Sequence, residues 1–290
     1  MYGSLALKHG TLYVAGQDRS ARVRLFDLDG RLISPGFRFR DERLGRSIAA
    51  GLAVDDDHRL WIADTPSHRV RAFSVFGVAV GGLGVAQDED LAACHDDDDR
   101  RGHLRRPVAV RVDEARDELR IIVASSGRRR HAVRIFGEDG RMDFSLRPEG
   151  DPHASFRDVT AMALEGEWLY VAERSGRVQV FHNFDYQFAF VLEIPAFEPT
   201  CLASLEDGRL VLCNGGSRPG LFLLNRHGRL LSELATSGSD TGQVRVPGDV
   251  VVERHVPDRK RRIALLDSDG ERVQIFTLEG RCFGAFSARA

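Results

Sequence analysis

LWIADTPSHRVRAF, residues 60–73, is the stretch from which the architecture is read. An apolar run ends on Ala63 and Asp64, a polar turn follows, and a second run of alternating character closes on Phe73. The design recurs along the chain. Runs like the first are LYVAG (12–16), IIVAS (121–125), LYVAE (169–173), LVLCN (210–214) and IALLD (263–267). Runs like the second are RVRLF (22–26), AVRIF (132–136), RVQVF (177–181), GLFLL (220–224) and RVQIF (272–276). Their last residues, Phe26, Phe73, Phe136, Phe181, Leu224 and Phe276, lie 47, 63, 45, 43 and 52 positions apart. Six copies at a period near 45 residues mark a repeat architecture, which dictates the fold before any other feature does.

Each copy carries two further strands. Ahead of the quoted runs stand LALK (5–8), GLAVD (51–55), VAVRVD (108–113), VTAMAL (159–164), CLASL (201–205) and DVVVE (249–253). After them come the turns Asp29-Gly30, Asp139-Gly140, His227-Gly228 and Glu279-Gly280. Such turns suit hairpins, because glycine reaches positive φ without a Cβ clash. A four-stranded antiparallel unit of this size cannot bury both of its faces alone, and radial packing around an axis removes the difficulty. The expected fold is all-β: a six-bladed β-propeller with four-stranded antiparallel blades at approximately 5–37, 47–84, 105–148, 156–194, 198–236 and 246–286. One domain then spans 1–290, where length alone would predict two.

Segments such as IADTPSHRVRAF (62–73), YVAERSGRVQVF (170–181) and GQVRVPGDVVV (242–252) resemble the NHL repeat. The resemblance runs from about residue 5 to 286, and GRRRH (127–131) and GLFLL depart from it most. It implies the six-bladed fold and leaves function open, since the family includes RNA-binding, protein-binding and catalytic propellers. Some relatives are lyases acting on peptidyl-hydroxyglycine through a metal held by histidines at the inner strands, typically as P-H-[GS]-[IL]. The matching positions here, AAGL (49–52), RRPVAV (105–110), FRDVTA (156–161), EPTCL (198–202) and VPGDV (246–250), contain no histidine. Calcium lactonases of similar fold need six or more converging oxygens. Asp158, Asp249 and Asn214 are the only candidates, and no Glu opens a first strand. No catalytic residue, metal or cofactor is therefore assigned, and a metal-assisted hydrolase or lyase at the channel mouth is the minority reading.

Repeated charges read first as structure. An acid closes the second strand and an arginine opens the third in Asp64/Arg69, Glu173/Arg177 and Asp267/Arg272, which predicts ion pairs at blade edges. Cys213 stands where other copies have alanine and reads as packing. The four cysteines are scattered without metal spacing, so reduced thiols are expected rather than a disulfide framework. The N-terminus MYGSLALKHG has no leader pattern, and no run approaches the roughly 18 apolar residues of a membrane span. A cytoplasmic chain is expected. With little chain left to overlap at the ends, blades one and six are expected to close by face packing alone.

Charged residues make up 29% of the chain, with 41 basic against 43 acidic side chains, so no global field selects a polyanion. All basic residues except Lys8 and Lys260 are arginines. They cluster. FRFRDERLGRS (37–47) offers Arg38, Arg40, Arg43 and Arg46; GRRRH offers Arg128, Arg129 and Arg130. Between them the longest insertion, 84–107, has an acidic stretch from Asp88 to Asp99 and then Arg100, Arg101, Arg105 and Arg106. Propeller topology puts these loops on one face. The guanidinium fork matches carboxylate and phosphate, so the sites expected to bind are Arg38, Arg40, Arg43, Arg46, Arg105, Arg106, Arg128, Arg129 and Arg130. The partner expected is an acidic protein or peptide. RNA is the alternative for the same face, weakened because Phe37 and Phe39 are the only aromatics interleaved with the arginines. A second basic run, Arg254 to Arg262, lies on the opposite face and reads as a solvated turn.

Overall fold

Alternating apolar residues make each repeat a meander whose two faces are both apolar, and the consequence is visible in a computed structural model. It describes residues 3–16, 21–40, 47–84, 103–115, 118–129, 131–267 and 271–289. Six four-stranded antiparallel sheets follow one another, each in simple sequential order. Blade one comprises Ser4–Lys8, Thr11–Ala15, Arg22–Phe26 and Leu32–Arg38, and blade two Ala49–Val54, Leu60–Asp64, Arg69–Phe73 and Ala79–Leu83. Blade three comprises Pro107–Asp113, Arg120–Ser125, Val133–Gly137 and Met142–Ser145; blade four has Val159–Glu165, Trp168–Glu173, Arg177–His182 and Phe188–Glu193. Blade five is built from Pro199–Ser204, Leu210–Asn214, Gly220–Leu224 and Leu230–Ala235, and blade six from Pro247–Val252, Arg262–Asp267, Arg272–Thr277 and Cys282–Ser287. The first strands neighbour one another around a closed ring, blade six against blade one included. The protein is an all-β, six-bladed propeller.

The cores lie between blades. In Thr11–Ala15, Leu12 and Val14 pack toward blade six while Tyr13 and Ala15 pack toward blade two. The same period-two division at every blade yields six apolar clusters, one for each interface in the ring. The last or next-to-last residue of each third strand, Phe26, Phe73, Phe136, Phe181, Leu224 and Phe276, is buried against the preceding blade. Fully burying such a side chain stabilises the fold by roughly 1.5–3 kcal/mol. Gly51 shows how closely the inner strands approach: a Cβ there would sit 2.8 Å from Ala109 Cα and Val110 N. The turn glycines Gly30, Gly140, Gly228 and Gly280 all have φ between 75° and 84°.

Three expectations are corrected. First, the acids closing the second strands serve mainly to receive backbone N–H groups leading into the first strand. Asp64 accepts from Ile48 N at 3.0 Å, Glu173 from Arg157 N at 3.1 Å and Asp267 from Val246 N at 2.9 Å; Asn214 does the same for Glu198 N at 2.6 Å. Asp267 also pairs with Arg272 at 3.0 Å and Glu173 with Arg177 at 3.6 Å, but Asp64 faces Arg71 at 3.6 Å rather than Arg69. The first-strand backbone forms the inner edge of its sheet, so its approach donors need a side-chain acceptor. Second, Cys201 and Cys213, directly opposite on adjacent strands of blade five, form a disulfide. Third, the run from Arg254 to Arg262 is exposed over most of its length, as expected of a turn, but is pinned by ion pairs: Arg254 pairs with Glu165 at 2.8 Å, Arg261 is buried beside Glu206 at 2.5 Å, and Arg262 reaches Asp29 at 2.9 Å.

Candidate functional site

The face on which the first strands begin also carries the loops joining second to third strands. At its centre the six inner strands start with small or uncharged residues, among them Gly3, Ala50, Val108, Thr160, Thr200 and Gly248, which line a cavity of about 810 Å³. One wall is basic. Arg105 and Arg106 stand just before the first strand of blade three, Arg128 and Arg129 come from its next loop, and Arg174 comes from the corresponding loop of blade four.

Local structure explains the convergence. GRRRH is a short ribbon rather than a free loop: Arg128 pairs with Arg157 and Arg129 with Phe156, antiparallel to the segment leading into blade four. Phe156 is fully buried between blades three and four and anchors that segment. Asp158 then ties the wall together, its carboxylate accepting Gly127 N at 2.9 Å and Arg174 Nε at 3.0 Å. Arg129 Nε donates to Ser126 O at 2.9 Å. Across the wall, Arg106 N donates to His68 Nδ1 at 3.0 Å, which requires that nitrogen unprotonated. Burial holds the His68 imidazole below its ordinary value, and Arg105, Arg106 and Arg129 add to the effect.

His68, Arg106 and Asp158 are non-glycine residues with φ of 56°, 51° and 75°. The left-handed region is unfavourable for such side chains, and its use at three positions around one cavity marks a place where the surrounding packing dictates the backbone. The wall carries five arginines against the single carboxylate of Asp158.

Four of the nine expected arginines thus meet in one cavity. Arg38 ends the outermost strand of blade one and Arg40 follows it; neither lines the cavity. Arg43, Arg46 and Arg130 lie outside the described residues, as does the insertion from 85 to 102 with its acidic stretch and Arg100 and Arg101. Phe37 and Phe39, candidates for base stacking, are buried between blades one and two. Arg174 was missed because it is a single arginine; its position directly after a second strand was the available signal.

Residues 47–73 match the NHL-repeat family model. The matched segment begins just before the first strand of blade two and ends at Phe73, closing the third. This molecule is a six-bladed propeller carrying an NHL repeat. No curated protein matches the chain significantly. In this propeller the three oxygen-bearing residues considered for a calcium site are engaged elsewhere: Asp158 as above, Asn214 with Glu198 N and Arg218 O, and Asp249 with Ser4 and Leu5. Among the described residues no group of three or more His, Cys, Asp or Glu side chains could hold a metal ion. Among the described residues no helix is long and apolar enough to cross a membrane.

Proposed function

We propose that this propeller is a non-catalytic binding scaffold that takes an acidic segment of a protein or peptide partner at the first-strand mouth of its channel. The supporting observation is the meeting of Arg105, Arg106, Arg128 and Arg129, with Arg174, on one wall of a single cavity. Arg106 and Arg128 are exposed and have no ion pair among the described residues, so their donors face solvent. A cavity of about 810 Å³ is in the range that encloses a compact ligand rather than offering a flat epitope. The partner accordingly inserts a short acidic stretch or a chain end, and carboxylates pair with the guanidinium forks. Arg38 and Arg40 serve a partner wide enough to reach the outer strand of blade one. The ring works as one unit in this reading, because the cavity draws on all six inner strands.

RNA is the lesser reading for the same wall. Single-stranded RNA needs exposed aromatic platforms, and Phe37 and Phe39 are in the core. The cytoplasmic location expected from the sequence is in tension with the Cys201–Cys213 bond, since disulfides persist in oxidising compartments.

The test is fluorescence anisotropy with a labelled Glu-rich dodecapeptide at two salt concentrations. Wild-type protein should bind and weaken as salt rises. Joint replacement of Arg105, Arg106, Arg128 and Arg129 by serine should weaken binding by at least about 30-fold, because several charge-assisted bonds are lost together. Equal affinity in both proteins overturns the site, and tighter binding of a single-stranded RNA than of the peptide overturns the partner class.

A further inference from the structure

Aligned through their second-strand partners, the six first strands place Ala6, Ala53, Arg111, Ala163, Ala203 and Val251 at one level of the channel. Five are small and apolar. The sixth is an arginine. The small side chains leave a cavity of about 160 Å³ on the axis, well below the mouth, and Arg111 lines it.

The charges in this lining do not balance. They are Lys8, Arg111, Arg254 and Glu114. Lys8 is taken by Glu114 at 2.8 Å and Asp56 at 2.5 Å, and Arg254 by Glu165 at 2.8 Å. Arg111 has no ion pair among the described residues; its one hydrogen bond runs from Nη1 to the carbonyl of its neighbour Val110, at 2.8 Å. A guanidinium offers five N–H donors and does not shed its proton in a protein, so most of its hydrogen-bonding capacity faces the cavity.

Asp249 on the opposite blade is the nearest compensation, and it is spent elsewhere. It does not line the cavity. Its Oδ2 receives Ser4 Oγ and Leu5 N, and its Oδ1 receives Val250 N. Burial works against the Arg111 charge, Asp249 supports it from a distance, and Arg254 opposes it. A cation withdrawn from water without a counter-ion at contact distance is costly. A cavity of about 160 Å³ matches the size of pockets that take a single benzene-sized ligand, so a small anion fits beside the guanidinium.

We propose that the channel holds a small monovalent anion, a halide or a formate-sized carboxylate, against the Arg111 guanidinium. The site is separate from the arginine wall at the mouth and does not depend on the function proposed there. Bromide is the direct probe: crystals soaked in sodium bromide should show an anomalous peak in hydrogen-bond range of Arg111, which formate in the soak should displace if the site also accepts carboxylates. A channel containing water without anomalous signal overturns the proposal. In solution, the wild-type melting temperature should be about 2–5 °C higher in sodium chloride than in equimolar sodium gluconate, whose anion is too large to enter. The difference should vanish in Arg111→Met and persist in the fourfold serine variant of the mouth. An equal difference in wild type and Arg111→Met also overturns it, whereas loss of peptide binding alone leaves it intact.

Discussion

Asp249, at the start of blade six, accepts a 2.6 Å hydrogen bond from the Ser4 hydroxyl of blade one. The same oxygen accepts Leu5 N at 2.9 Å. These bonds join residues 245 and 244 positions apart and cross the seam where the ring closes. Further out, Phe26 packs on Phe286 with centroids 4.9 Å apart, Arg24 reaches Ala288 O, and Arg262 pairs with Asp29. Among the described residues each blade is built from the four strands of its own repeat, but closure by apolar faces alone is corrected: a buried carboxylate bolts the seam at its inner edge.

Asp249→Ala should therefore destabilise the protein by about 2–4 kcal/mol, since it leaves a buried hydroxyl and two backbone donors without their acceptor. Urea denaturation measures the loss. Hydrogen exchange should rise first in Ser4–Lys8 and Pro247–Val252; uniform acceleration over all six blades would contradict a seam-specific role.

At the mouth, Asp158→Ala frees Arg174 and the Gly127 amide together. The expected result is a 5–10-fold loss of acidic-peptide affinity from a less ordered wall, with a stability change within about 1.5 kcal/mol. Unchanged anisotropy titrations would show that Asp158 does not organise the wall.

His68 gives a pH signature. Its folded value lies below the ordinary 6.5, chiefly through burial and then through the neighbouring arginines. Above 6.5 neither folded nor unfolded chain binds the proton. As pH falls through 6.5, the unfolded chain takes up a proton that folded His68 refuses, and stability declines until the folded value is reached. His68→Gln, which keeps an acceptor for Arg106 N, should lose that part of the decline in urea titrations below pH 6.5. An imidazole midpoint above 6.5 by NMR would refute the assignment.

For the cysteines, alkylation of protein isolated without reductant should label Cys282 and spare Cys201 and Cys213. The bond closes a loop of 12 residues, and its removal should cost about 2–3 kcal/mol. Cells quenched in acid and then alkylated decide the compartment: sparing of Cys201 and Cys213 argues against the cytoplasm, and their labelling argues for it.

Gly51→Ala should destabilise by about 1–3 kcal/mol, because its Cβ would press on the backbone of the next blade's inner strand. A neutral effect in urea denaturation would mean that the inner strands tolerate wider spacing.

What the amino-acid order determined here is local. Alternation in runs such as LYVAG and RVRLF, turns such as Asp29-Gly30, and a sixfold repeat specify strands, hairpins and blade number, because each depends on residues within a few positions of one another. The arginines of GRRRH and of Arg105 and Arg106 could be assigned to one face for the same reason, since strand parity decides which loops share a face.

The remainder was decided by radial packing. That Asp249 meets Ser4, that Arg174 is tied to Gly127 through Asp158, and that Arg111 stands on the axis among alanines all follow from bringing distant strands around a ring. Asp64 looks like a partner for Arg69 until the inner strand arrives with unsatisfied amides beside it, and Asp267, which does pair with Arg272, takes such an amide as well. Cys201 and Cys213, 12 apart, bond because the register of blade five sets them opposite. Side-chain partners are chosen by proximity in space, and in a closed ring most of that proximity is between residues remote in sequence.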